Sequence, residues 1–381
     1  MDNRPNVLSL FSGAGGLDLG FEAQGFKHLG CVEIDEHCVN TLKKNRPEWN
    51  ITHGDIASFS SHFRDIDVLV GGPPCQGFSL GGNRDPNDPR NSLFLEMVRI
   101  TKESNPKVVV VENVLNLRTM VAPWSGKNFA EEISHQFKSL NYKVFFDVFQ
   151  VCYYGVPQTR RRFIFIAIKD EAPENYQLPI PDVNPTSIRS ALFDIGQSKT
   201  TQLPNHDPIW GFKSRVHTNL ENPVDSAEIA IPIRISRTGS DGYPIRSFDD
   251  AFPAVDTATV WGWAKGNIHA ERIEKDREHG KHVRNPEATT KLWRITADQM
   301  RTFTHREYAR LQTFPDSWEF TGNNKRDIHK QIGNAVPVNF ASRIAENVKQ
   351  ILNAKNNKTP FEYSRNLQLQ IDFDGKCSSE E

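Results

Sequence analysis

The segment Val68-Leu69-Val70-Gly71-Gly72-Pro73-Pro74-Cys75-Gln76-Gly77-Phe78-Ser79 presents one thiol for chemistry, because an apolar strand ends there in a rigid Gly-Pro turn. A cysteine that fills a core belongs inside the strand, whereas flanking prolines and glycines hold a loop and display the sulfur. The thiolate is the nucleophile, and neighbouring cations lower the ordinary thiol pKa of about 8.5. A second apolar strand, Val108–Val111, runs into Glu112-Asn113-Val114 and brings a carboxylate to the same sheet edge. Apolar walls raise such a carboxyl until it can donate a proton near neutrality. A helix cap or a surface ion pair is the plainer use of a glutamate. Gln158-Thr159-Arg160-Arg161-Arg162 precedes a third strand, Phe163–Ile168, and supplies cations for a carboxylate, a thiolate or a phosphate, or else a solvated surface.

A different chemistry is suggested at the start of the chain. Val7–Phe11 leads into Ser12-Gly13-Ala14-Gly15-Gly16 and then a helix, a turn that lets backbone approach a nucleotide-like ligand. Glu33 ends the next strand at a spacing suited to ribose hydroxyls. The dinucleotide fingerprint is incomplete, since Asp18 stands where a third glycine is expected, and no P-loop lysine follows, which disfavours ATP or GTP hydrolysis.

These groups need a scaffold. Over the first 170 residues, strand-like runs (Asn6–Leu10, Leu29–Ile34, Asp67–Val70, Val108–Val111, Val144–Val148, Phe163–Ile168) alternate with helical ones (Leu17–Gln24, Glu36–Lys44, Ser92–Thr101, Phe129–Leu140). This rhythm predicts an α/β fold, a doubly wound, mostly parallel sheet with ligands beyond the carboxyl ends of its strands. From about Glu171 to Met300 the pattern gives way to Pro-, Asn- and Asp-rich connections with short β-like pieces such as Ile231–Ile235, predicting a second, smaller mixed domain. Helical periodicity returns at His305–Gln312 and Val338–Leu352, and a polar tail follows in which Leu367–Phe373 alternates like an edge strand. The expected division is residues 1–170 with 331–355 as one domain, 171–330 as another, and 356–381 as the tail.

Composition excludes more than it selects. The 381 residues carry 46 Lys+Arg against 47 Asp+Glu, without the basic tail that announces a nucleic-acid partner. Five cysteines (Cys31, Cys38, Cys75, Cys152, Cys377) with no C-x-x-C pair predict reduced thiols in a cytosol-like compartment and no zinc ribbon. No apolar run approaches the ~18 residues needed to cross a bilayer, and the short lead-in to the first strand predicts no targeting peptide.

Taken in order, the motifs resemble the DNA (cytosine-5)-methyltransferases. The similar segments are Phe11–Gly16, Glu33-Ile34-Asp35, Gly54-Asp55-Ile56, Gly72–Ser79, Glu112-Asn113-Val114, Gln158–Arg162, Arg306–Pro315 and Gly333-Asn334-Ala335-Val336-Pro337. The resemblance implies the methyltransferase form of the sheet, S-adenosylmethionine as methyl donor, no metal, and a target-recognition domain in the variable stretch. It places Phe11, Gly13, Gly15, Glu33, Asp55, Ile56, Pro74, Asn334 and Val336 around the cofactor, with Glu33 on the ribose and Asp55 on the adenine. The missing third glycine then has an explanation, because this cofactor has no pyrophosphate. Thr159 departs from the usual motif, but the spacing of Arg160 and Arg162 is kept.

Carbon 5 of cytosine is a poor nucleophile, so the resemblance makes Cys75 add to carbon 6 of a base flipped out of the duplex. Glu112 would meet the ring nitrogen as a neutral acid, while Arg160 and Arg162 fix the ring carbonyl. Residues 171–300 hold 15 Lys+Arg and 18 Asp+Glu, so local clusters would have to read DNA. Candidates are Lys213, Arg215, Arg234, Arg237, Lys265, Lys281 and Arg284, supported by Trp261 and Trp263, against the plainer reading of solvated charge and core tryptophan. The loop Leu80–Asn91 is placed to act as a lid. The expected role is the modification enzyme of a cytoplasmic, nucleoid-associated restriction–modification system, with no direct contact to a nuclease implied. A tRNA cytosine-5 methyltransferase, a nicotinamide-dependent oxidoreductase and a catalytically dead DNA-binding subunit are the alternatives.

Overall fold

The computed structural model describes residues 2–61, 63–74, 93–122, 125–197, 202–210, 216–218, 226–234, 247–257, 259–273, 292–363, 370–371 and 377–378. Cys75 and the expected lid Leu80–Asn91 lie outside them.

At the centre of the sheet, the apolar runs Val68–Val70, Val108–Val111 and Phe163–Ile168 become strand segments buried on both faces. β1 (Asn6–Leu10), β2 (Lys27–Glu33), β3 (Ile51–His53), β4 (Val68–Gly71), β5 (Val108–Val114), β6 (Tyr142–Gln150) and β7 (Arg161–Lys169) form one sheet in the order β3-β2-β1-β4-β5-β7-β6. The pairs from β3 through β5 are parallel, and β7 is antiparallel to both β5 and β6. The chain direction across the sheet reverses at the β1–β4 boundary, where such sheets open a crevice.

Both sheet faces are covered. α3 (Leu93–Ser104) and α4 (Phe129–Ser139) seat Phe94, Met97, Ile100, Phe129, Ile133 and Phe137 on one face. α1 (Gly16–Ala23) and the 20-residue α8 (Val338–Asn357) cover the other with Leu17, Phe21, Phe340, Ile344, Val348 and Ile351. The two helices touch almost backbone to backbone: a Cβ on Gly20 would lie 2.4 Å from that of Ala341. α2 (Glu36–Asn45) is capped by Asp35, whose carboxylate accepts from the His37 and Cys38 amides, and carries Lys43 and Lys44 in its last turn.

The second half forms a four-stranded antiparallel sheet in the order β8-β11-β10-β9, from β8 (Val216–Thr218), β9 (Ser226–Arg234), β10 (Trp261–Ile273) and β11 (Leu292–Thr302). α5 (Arg189–Gln197), α6 (His305–Leu311) and α7 (Lys325–Asn334) join it to the larger sheet. One buried cluster runs through Ala14, Leu42 and Trp49 to Trp263, Tyr308, Phe314 and Trp318. Arg301 and Glu307 pair inside it at 2.6 Å, and Trp263 Nε1 donates to Glu307 at 2.8 Å. The tail contributes β12 (Gln370–Ile371) and β13 (Cys377–Ser378), which pair with each other.

The structure moves several boundaries. β5 continues through Val114, because β7 pairs with it as far as Arg162. The motif Gly333–Pro337 begins in the last turn of α7, and of the β-like piece at Ile231–Ile235 the described residues 231–234 belong to a strand beginning at Ser226. No helix of the described residues is long and apolar enough to cross a membrane.

Candidate active site

Four strand ends converge at the crevice: β1, β2, β4 and β5. After β1 the backbone enters left-handed conformations at Phe11 (φ 57°), Gly13 (φ 54°) and Gly15 (φ 85°), closed by the Gly15 amide on the Ser12 carbonyl at 2.9 Å. Gly15 needs its missing side chain, since a Cβ would strike Leu42 at 2.8 Å and crowd Trp318 at 3.2 Å. A Cβ on Gly13 would meet nothing within 4 Å, so the turn has open space above it. The Gly13 amide donates to Glu33 Oε2 at 2.7 Å, and the Ile34 and Asp35 amides donate to Oε1 at 2.8 Å. Burial pushes the Glu33 carboxyl up while these three amides pull it down, and the net direction is upward.

Ile34, just beyond that carboxylate, is 63 % exposed. Sequence reading passed over it as part of a strand, yet a large apolar side chain left in solvent at the mouth of the crevice suits a flat aromatic ring. Asp55 is exposed and caps the short turn Ile56–Ser58 through the Ala57 amide at 2.9 Å, while Ile56 is buried beneath it. Asn334 is exposed at the end of α7, and Val336 packs against the glycine turn so closely that a Cβ on Gly16 would lie 2.1 Å from its carbonyl oxygen. The open turn, the carboxylate on its amide and the exposed Ile34 together fit an adenosine-bearing ligand such as S-adenosylmethionine.

On the other side of the switch point, β4 ends in Gly72-Pro73-Pro74, the strap that leads to Cys75. Asn113 Nδ2 donates to the Pro73 carbonyl at 3.1 Å, and a Cβ on Gly72 would stand 3.2 Å from Glu112 Oε2. Glu112 therefore lies directly against the strap. Its Oε1 meets Arg162 Nε at 2.6 Å, both side chains being nearly buried. The register explains the contact: Arg162 pairs with Val114, two residues along from Glu112, and residues two apart on neighbouring strands share a face. Loss of water pushes Glu112 above the ordinary carboxylate range even though Arg162 draws it down.

Arg160 and Arg162 part company here. Arg160 is 3 % exposed, and its Nη1 donates to the carbonyls of Val255 and Gly333 at 2.9 and 2.8 Å. Its guanidinium joins the second half of the chain to the last turn of α7, which bears Asn334, whereas Arg162 is the arginine on Glu112. Beside it, two of the quoted motifs meet in a buried amide pair. Gln158 donates to the Leu311 carbonyl and to Gln312, accepts from the Val255 amide, and Gln312 donates to Ile332 and Ala335.

Of the DNA-reading candidates, Lys213, Arg215, Arg237, Lys281 and Arg284 lie outside the described residues, while Lys265 is half-buried on β10 and Arg234 is on β9. Trp261 and Trp263 are 5 % and 0 % exposed, so the plainer reading holds for them: they build the core and do not face a ligand.

A mostly parallel sheet with a nucleoside-type turn at its switch point and a buried carboxylate against the Gly-Pro strap at the next strand end belongs to the α/β class. The model of the C-5 cytosine-specific DNA methylase family matches residues 5–359, and the chain belongs to that family and is a DNA (cytosine-5) methyltransferase. It is 34% identical over 363 residues to the Type II methyltransferase M.Eco47II of Escherichia coli, covering 94% of this chain and 82% of that one. It is likewise 34% identical to M.PspPI of a Psychrobacter strain, over 92% and 80% of the two chains. A prophage-encoded E. coli protein assigned as a DNA modification methyltransferase shares the fold with a TM-score of 0.61 at 23% identity, over 92% of this chain and 99% of its own. DNMT2 of Spodoptera frugiperda shares it with a TM-score of 0.55 at 18% identity, over 91% and 99%. Family membership sets the nicotinamide oxidoreductase aside.

Proposed function

We propose that the protein methylates carbon 5 of a cytosine within a specific double-stranded DNA sequence, as the modification enzyme of a restriction–modification system. The Glu112–Arg162 pair pressed against the strap to Cys75 carries the reading. S-adenosylmethionine would bind over Phe11, Gly13 and Gly15, with Glu33, Asp55, Ile56, Pro74, Asn334 and Val336 around it, and would supply an electrophilic methyl group on a sulfonium. Residues 171–330 would read the DNA, and the target base would be flipped into the crevice.

The Cys75 thiolate bonds to carbon 6 of the cytosine, and the electron pair of the 5,6 double bond moves toward carbon 5 and the ring nitrogen. Glu112 gives its proton, or a hydrogen bond, to that nitrogen. Arg162 orients Glu112 and holds the ring carbonyl oxygen, and Arg160 ties the end of α7, with Asn334 facing the methyl donor, to the second half of the chain. Once carbon 5 has taken the methyl group, a base such as water removes its proton, the carbon–sulfur bond breaks and Cys75 leaves.

Duplex DNA with 5-fluorocytosine at the target tests this reading. A covalent complex should form with the wild type and not with Cys75→Ser, because fluorine cannot leave as a proton does. A methylatable duplex that traps nothing, or a Cys75→Ser protein with near-wild-type turnover, would refute it.

A further inference from the structure

Asp18 marks the place where the glycine fingerprint breaks off, and nothing in the methylation chemistry uses it. It lies in the first turn of α1 and is 1 % exposed. His28 Nε2 donates to Asp18 Oδ1 at 2.9 Å, and the imidazole is stacked on Trp49 with ring centroids 3.9 Å apart. Ser12 Oγ donates to the same oxygen at 3.4 Å and lies 2.8 Å from Ser9 Oγ. Asp18 Oδ2 and His28 Nδ1 have no hydrogen-bond partner.

Cys31 completes a group whose donor atoms lie within 4.8 Å of one another. A metal ion would have to displace the hydrogen bond already joining Asp18 to His28 and to deprotonate a thiol that burial holds in its neutral form. The arrangement is better suited to holding something by hydrogen bonds.

What it holds is Ser12, the residue between Phe11 and Gly13, both left-handed. A bulky side chain at positive φ is strained and persists only where its surroundings leave no alternative. A buried carboxylate is also costly, so its retention in place of a glycine calls for a task. We propose that Asp18 is a positioning residue for cofactor binding: pinned by His28 and Trp49, it anchors Ser12 from beneath and so fixes the turn that leaves the Gly13 amide on Glu33. This inference rests on S-adenosylmethionine binding at that turn.

Calorimetric titration of the full chain with S-adenosylmethionine, paired with steady-state kinetics on duplex DNA, tests it. Asp18→Asn should weaken S-adenosylmethionine binding about tenfold or more, with kcat at saturating methyl donor within about twofold and KM for DNA unchanged. Ser12→Ala should weaken it similarly, and the double variant should be no worse than the weaker single one, because the two residues act as one link. His28→Gln should fall between them and the wild type. Unchanged affinity in Asp18→Asn, losses that multiply in the double variant, or a kcat that falls in step with affinity would overturn the proposal. If Asp18→Asn does not fold, Ser12→Ala decides, and full affinity there overturns it too. A wild-type chain that fails to bind S-adenosylmethionine instead overturns the functional reading beneath it, which separates the two failures.

Discussion

In the proposed reaction Glu112 is held between two demands, since a proton donor must stay neutral while a guanidinium 2.6 Å away favours its anion. Burial wins, and the carboxyl titrates above its usual range. The donating form is therefore present at low pH and is lost as pH rises through that raised value, so kcat should decline on the alkaline side. Glu112→Gln should lower kcat by roughly 10²–10⁴-fold and abolish that decline, which a pH–rate profile of both proteins will show. The two arginines should separate in the same assays. Arg162→Ala should lower kcat with little change in the melting temperature. Arg160→Ala leaves two buried carbonyls without their donor, and should cost roughly 2–4 kcal/mol in urea unfolding. Equal loss of stability in both would contradict this division.

At the scale of elements, α6 begins with His305, whose Nε2 donates to the Lys325 carbonyl at 2.9 Å and whose pKa burial lowers to about 4. A histidine kept neutral in the folded state contributes its full share above the unfolded value near 6.5, and that share is lost as pH falls toward 4. The urea midpoint should therefore drop between pH 7 and pH 5, by about 1–2 kcal/mol of stability after allowing for partial exposure, and less in His305→Gln. A drop of equal size in the variant would assign the acid sensitivity elsewhere. Gly16 makes a sharper case: a Cβ there would meet the Val336 carbonyl at 2.1 Å, so Gly16→Ala should cost both cofactor affinity and several kcal/mol of stability.

The strands and helices nearest the crevice were legible because β4, β5 and β7 are built on the apolar runs Val68–Val70, Val108–Val111 and Phe163–Ile168 and α2 carries its cap at Asp35. β3 escaped notice because three residues carry no period. β9 and β10 were hard to read because Pro232, Gly262 and Gly266 interrupt them, and β10 shifts register near Gly266. Among the candidate site residues, Glu112 and the arginine run stand out by type. The choice between Arg160 and Arg162 could not, because the two share strand parity and only carbonyls at Val255 and Gly333 separate them.

The whole molecule is closed by α8. Six large apolar side chains on it are buried (Val338, Phe340, Ile344, Val348, Ile351 and Leu352), and at roughly 1.5–3 kcal/mol each they rival the entire net stability of a domain. A chain ended after Pro337 should lose its cooperative thermal transition, as calorimetry would show. The Gly20–Ala341 contact then sets an order of events during synthesis. The glycine turn leaves the ribosome hundreds of residues before α8, the helix that packs behind it. A nascent chain thus carries the glycine turn without the wall that fixes it until α8 has been made.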